Sequence, residues 1–238
     1  MDNILITICA RGGSKGVPGK NIKLISGKPL IRYTIDFAND ICNEFNADIA
    51  VSTDSNEIIN VVKEFGIDVP YKRPDNLSTD SAGKISAIAD VLNFYEEKFN
   101  KSYDYILDLD VTSPLRTIED VRKAFEIMKL DGEALNIFSV SEARKNPYFN
   151  MVEESNGYMR IVKEKEVFLS RQSAPVVYEL NASLYIYRRS FFTAGHTSAF
   201  TERSKSLLME HICFDIDSQD EFDYLEYLID NDKLNFKF

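Results

Sequence analysis

At 238 residues the chain is long enough for one α/β domain, or one domain with a small appendage, and 44% hydrophobic with 28% charged residues is the balance of a globular protein. A net charge of −10 argues against a nucleic-acid surface, and no run reaches the roughly 18 apolar residues of a membrane helix. Cys9, Cys42 and Cys213 are an odd number at unrelated spacings, which argues against a disulfide or zinc framework; with no signal peptide ahead of the first apolar run, the expected compartment is the reducing cytoplasm.

In chain order, Ile4–Cys9 reads as a buried strand that empties into the loop 10–21, which holds four glycines and three cations. Residues 29–39 read as a helix with Leu30, Ile31, Thr34, Ile35 and Ala38 on one side. A second strand is expected at 49–53 and a helix at 56–65, stopped by Gly66. Residues 81–99 carry Ile85, Ile88, Ala89, Leu92 and Tyr95 at helical spacing, and Tyr105–Leu109 is a third strand. Thr117 caps a helix bearing Ile118, Val121, Phe125 and Met128, and 135–140, 183–187 and 211–216 complete the strands. Strands alternating with helices predict an α/β fold whose open, mostly parallel sheet is covered by helices on both faces. The whole chain, 1–238, is read as a single domain. Residues 142–175 break the alternation, being polar with two prolines and a short alternating stretch at 158–162, and read as a lid or dimerisation excursion.

The glycine loop suits a polyanion. Its glycines let backbone N–H groups approach phosphate oxygens, and Arg11, Lys15 and Lys20 supply charge where a triphosphate would sit. It is neither a P-loop, because Gly13 and Gly19 are one position too far apart and Asn21 replaces the hydroxyl, nor a dinucleotide loop, because Arg11 stands where the first glycine belongs. Asp108/Asp110 and Asp215/Asp217 are two Asp-x-Asp pairs, each able to offer hard oxygen ligands to Mg²⁺, or to serve as solvated turn carboxylates. Thr79, Asp80 and Ser81 read as the cap of the next helix, and Arg73, held extended by Pro74, as a base or phosphate contact. His196 and His211 lack a partner at ligand or triad spacing and read as structural.

Taken together, loop 10–21, Ser52-Thr-Asp54, Arg73-Pro74 with Leu77-Ser-Thr-Asp80, Thr112-Ser-Pro-Leu-Arg-Thr117, Arg171-Gln172, Asn181-Ala-Ser-Leu-Tyr-Ile186 and Asp215-Ile-Asp217 make the chain resemble the CMP-sialic acid synthetases, the N-acylneuraminate cytidylyltransferases, over nearly its full length. The resemblance implies a nucleotidyltransferase, Rossmann-like fold, a homodimer, and transfer of CMP from CTP to the anomeric hydroxyl of a nonulosonic acid with release of pyrophosphate. It implies Arg11, Lys20 and Asp217 as catalytic residues, and a nucleotide contact made by Ala10, Arg11, Gly12, Gly13, Ser14, Lys15, Asn21, Arg73 and Ser81. Asp110, Arg171, Gln172, Asn181 and Tyr185 would face the sugar, and Asp215 and Asp217 would hold Mg²⁺, for which Mn²⁺ can substitute. Members acting on N-acetylneuraminate commonly carry Gln where this chain has Asp110, and Phe149 stands near the place of a family basic residue; both changes resemble members that activate legionaminic-type acids. The alternatives are a 3-deoxy-octulosonate or other sugar nucleotidyltransferase and, in another class, a nucleotide-binding regulatory module without catalysis.

Overall fold

The computed structural model describes residues 2–13, 16–164 and 168–237. The elements in chain order are β1 (Ile4–Cys9), β2 (Leu24–Ile25), β3 (Lys28–Pro29), α1 (Leu30–Glu44), β4 (Ala47–Ser52), α2 (Asn56–Glu64), α3 (Lys84–Phe99), β5 (Tyr105–Leu109), α4 (Ile118–Leu130), β6 (Asn136–Glu142), β7 (Val152–Ser155), β8 (Tyr158–Ile161), β9 (Tyr178–Arg188), α5 (Arg189–Thr193), β10 (Ser204–Leu208) and α6 (Gln219–Asp230). Six strands form the central sheet in the order β10-β6-β9-β5-β1-β4. β1 runs parallel to β4 and β5, β6 runs parallel to β10, and β9 is antiparallel to both β5 and β6.

The apolar run of β1 is continuous because both of its faces are covered. Ile4, Ile6 and Ile8 join one core with Leu30 and Ile35 of α1, Phe125 of α4 and Phe222 of α6. Leu5 points the other way, into a second core with Ile88 and Leu92 of α3 and Phe191 of α5. α4 starts on the predicted cap: the Asp120 N–H donates to the Thr117 hydroxyl while the Asp120 carboxylate accepts from the Thr117 N–H, a capping box.

The last predicted strand is corrected. Residues 211–216 are not in the sheet; the edge strand is β10, and the chain beyond it runs extended over the core without a ladder partner. Ile212, Cys213, Phe214 and Ile216 all pack on the core, so the apolar run reflects burial without strand pairing. The helix predicted from residue 81 begins at Lys84, after a turn, and the C-terminal α6 had its signal in the capping box of Ser218 and Glu221. The excursion contains a hairpin, β7 with β8, closed by Asn156 and Gly157 at φ 54° and 80°, the left-handed pair that a tight hairpin turn demands.

Candidate active site

β1, β4 and β5 are parallel neighbours, so their carboxyl ends open on one rim, where open α/β sheets take ligands. A cavity of about 410 Å³ lies there, bounded on one side by the glycine loop and Asp217 and on the other by Lys84, Asp110 and Thr112.

The loop is anchored at several points. The Asn21 side chain, itself buried, donates to the Arg11 carbonyl at 2.9 Å, and the Gly12 N–H donates to Asp54 Oδ1 at 2.9 Å. A Cβ on Gly16 would lie 2.0 Å from the Asp217 carbonyl oxygen, so only glycine lets the loop press against the 215–217 segment. Lys20 closes the same contact, donating to the Ile216 carbonyl at 2.5 Å with Asp217 Oδ1 3.5 Å away. The Arg11 guanidinium lies 2.7 Å from Asp80 Oδ1 across the cavity mouth. These contacts set two cations of the loop, Arg11 and Lys20, beside carboxylates from two other parts of the chain, Asp80 and Asp217.

The opposite wall is anionic and braced. Lys84 Nζ lies 2.6 Å from Asp108 Oδ2 and 2.7 Å from Asp110 Oδ2, and the Thr7 hydroxyl donates to Asp108 Oδ1 at 2.7 Å. Lys84 is the first residue of α3, where the helix dipole disfavours a cation, so the two carboxylates hold it there. Burial raises the Asp110 pKa, but Lys84 and the Thr112 donors outweigh it and bring it to about 2. Asp110 is further fixed through its main chain, whose carbonyl accepts from the buried Arg116 guanidinium at 2.6 Å. Burial, with Asp110 and Asp217 adding to it, pushes the Asp215 carboxyl upward, and its buried Oδ1 accepts no hydrogen bond.

A family profile described as Cytidylyltransferase matches residues 5–236. The chain belongs to the cytidylyltransferase family. It is 40% identical over 231 residues, 96% of each chain, to the CMP-N,N′-diacetyllegionaminic acid synthase of Campylobacter jejuni. It is also 40% identical to a post-translational flagellin modification protein B of Campylobacter coli, over 100% of this chain and 99% of the relative. A solved CMP:2-keto-3-deoxy-manno-octonic acid synthetase complexed with CTP superposes with a TM-score of 0.68 at 18% identity, covering 97% of this chain and 99% of that one, which shows a shared fold. The protein is thus a nucleotidyltransferase enzyme with a mostly parallel, helix-covered sheet.

Within this cytidylyltransferase, Arg11, Lys20, Asn21, Arg73, Asp110 and Asp217 line the one cavity. Arg73 is buried at its edge and already donates to the Ser52 hydroxyl and carbonyl at 2.9 and 2.7 Å. Ala10 is buried beneath the loop; Gly12, Gly13 and Ser81 flank it without lining the cavity, and Ser14 and Lys15 lie outside the described residues. Asn181 is placed differently from the expectation. It sits at a bulge in β9, next to Ala182 at φ 58°, where its Oδ1 accepts from Ser139 and its Nδ2 donates to Ser141, so its amide braces the sheet. Arg171 and Gln172 lie on an exposed turn of the excursion, with Arg171 donating to the Arg144 carbonyl, and neither lines the cavity. Tyr185 stands beside it, its ring 5.3 Å from Lys84 Nζ.

Lys84, Asp108 and Thr112 complete the site; no local pattern joins them, because Lys84 meets its partners only once α3 docks on β1 and β4. Asp108 and Asp110, one of the two pairs considered for a metal, already share the Lys84 ammonium as their counter-ion. In the other pair Asp217 lies 3.5 Å from the Lys20 ammonium, and Asp215 Oδ1, like Asp108 Oδ2, is buried without a hydrogen-bond partner. Among the described residues no three His, Cys, Asp or Glu side chains stand together as a group that could hold a metal ion. Among the described residues no helix is long and apolar enough to cross a membrane.

Proposed function

We propose that this enzyme couples CTP to the anomeric hydroxyl of a legionaminic-type nonulosonic acid, giving the CMP-sugar and pyrophosphate. The observation that carries the reading is the cavity itself: cations from the glycine loop on one side, a fixed carboxylate wall on the other, and Asp217 lining it beside Lys20, with the Asp215 oxygen buried two residues before. Phosphoryl transfer to a hydroxyl calls for positioning and neutralisation of charge more than for a strong nucleophile. Arg11 and Lys20 are suited to hold the triphosphate and stabilise the departing pyrophosphate, with Asn21 keeping the loop in shape. Asp215 and Asp217 would hold Mg²⁺, or Mn²⁺ in its place, and that ion would supply further charge neutralisation on the phosphates. Asp110, ionised and fixed, offers an acceptor to hydroxyl or acylamino groups of the sugar and disfavours a second anionic group.

A homodimer in the cytoplasm is part of the same reading. An apolar groove of about 780 Å³ runs between β6, β9 and the excursion, lined by Phe138, Val140, Met151, Leu180 and Phe200, and the excursion exposes Met159, Leu169 and Val176 beside it. A second copy of the chain would bury this surface, as such patches on soluble proteins usually mark an interface.

The direct test is CTP-dependent pyrophosphate release against a panel of nonulosonic and octulosonic acids. N,N′-diacetyllegionaminic acid should be the best acceptor, with kcat/KM at least tenfold above N-acetylneuraminate, about 1.4 kcal/mol in transition-state binding. A tenfold preference for N-acetylneuraminate or for an octulosonic acid overturns the acceptor; no release with any acid overturns the activity.

A further inference from the structure

Asp110 is held at both of its carboxylate oxygens. A carboxylate offers about four acceptor positions. Three on Asp110 are taken, two on Oδ1 by the Thr112 N–H and hydroxyl at 3.0 and 2.8 Å, and one on Oδ2 by Lys84 at 2.7 Å. The remaining position belongs to a side chain that is 19% exposed and borders the cavity. Asp108, by contrast, is fully buried and anchored by Thr7, so it is the fixed end of the arrangement. Lys84 bridges the fixed carboxylate to the presented one. It does so from the first turn of α3, where a cation is unfavourable, and its ammonium serves the buried Asp108 and the presented Asp110 together.

We propose that Lys84 is a positioning residue for Asp110, holding its carboxylate so that the last acceptor position faces an N–H donor, such as an acylamino group, on the acceptor sugar. Specificity for the acceptor then belongs to the pair and not to Asp110 alone. A site built to accept a hydrogen bond rejects an analogue that lacks the donor, since its own polar group would be left unpaired. The wall carries a net charge of −1 from two carboxylates and one ammonium, so it also turns the acceptor's own carboxylate away from this side. This inference rests on the cytidylyltransferase reading of the site.

Two measurements separate the inference from that reading. In kinetics with CTP and N,N′-diacetyllegionaminic acid, Lys84→Met should raise the KM for the sugar about tenfold or more, leave the KM for CTP within about twofold, and narrow the preference over N-acetylneuraminate; about tenfold corresponds to 1.4 kcal/mol. The Lys84→Met/Asp110→Asn double variant should show the same preference between the two sugars as Asp110→Asn, because the preference runs through Asp110, while the loss of the ion pair to the buried Asp108 reads in the melting temperature and not in that ratio. Lys84→Arg, which keeps the cation, should recover most of the preference. Effects that multiply in the double variant, or a loss confined to CTP, overturn the proposal. Independently of any substrate, the Thr112 amide resonance should move in Lys84→Met and stay in Lys84→Arg, since that N–H donates to the carboxylate Lys84 holds. A Thr112 amide that does not move overturns the positioning role even in an active enzyme, whereas absence of turnover with every acid overturns the function and leaves the amide result to decide on Lys84.

Discussion

Arg11 projects from the end of β1 into the cavity and spends one guanidinium nitrogen on Asp80, so its remaining donors face the space a triphosphate would fill. Arg11→Ala should lower kcat by about 10²-fold or more, as the loss of one charge-stabilising donor does; an unchanged kcat at saturating CTP removes Arg11 from the reaction. His211 acts at the same scale on stability. Its Nε2 lies 2.9 Å from Asp120 Oδ2, and although burial pulls its pKa down, the Asp120 contact outweighs burial and raises it above 6.5. Asp120, conversely, is held below its ordinary value of 3.8, against its burial, by His211 and the Thr117 donors. The histidine contribution is therefore complete below about pH 6.5 and lost as pH rises through the elevated folded-state value, and the aspartate contribution is lost as pH falls below about 4. Urea midpoints should show wild type losing more stability than His211→Gln between pH 6 and pH 8; parallel curves would contradict the pairing. At this scale the loop residues were legible because glycines and cations cluster within a dozen positions. Lys84 and the true placement of Asn181 were not, since one pairs with residues far along the chain and the other serves a bulge that no local pattern marks.

The elements that build the site are the β1 loop, the start of α3 and the extended segment 209–217. The loop and the segment touch at Gly16 and Asp217, and the contact is tight enough that Gly16→Ala must push them apart. That substitution should cut kcat/KM for CTP at least tenfold, about 1.4 kcal/mol, and should lower the melting temperature as well, because Val17 and Ile216, the neighbours of the two residues forced apart, are buried in the main core. Wild-type kinetics in the variant would show that the approach is dispensable. β1, β5 and α4 were readable from sequence because apolar runs and a cap fix them locally. Residues 211–216 read as a strand because they are largely apolar, but that apolarity serves packing on the core and not a ladder. The antiparallel direction of β9 had no sequence signal, since direction follows from where the preceding excursion returns the chain to the sheet.

For the molecule as a whole, the excursion and the apolar groove beside it set the expected assembly. Light scattering at micromolar concentration should give twice the 27.2 kDa chain mass, and a monomer would remove the second copy from the groove. The fold class and the rim that carries the site were legible because strands and helices alternate and ligand loops follow the strands. The positions of Arg171 and Gln172 relative to the cavity were not, being set by the path of the excursion. In the proposed reaction, transfer takes place where the glycine loop meets Asp215 and Asp217. Two carboxylates beside a triphosphate repel it by about 1 kcal/mol per unit-charge pair at 4 Å in water, so their place there makes sense for a cation-assisted reaction. The most direct measurement is single-turnover formation of CMP-sugar, with Mg²⁺ present, by wild type and by Asp215→Asn/Asp217→Asn, alongside CTP binding in EDTA. The account predicts that the double variant loses at least about 10³-fold in rate, some 4 kcal/mol, while binding CTP without metal as well as or better than wild type. Full turnover by the double variant would contradict it.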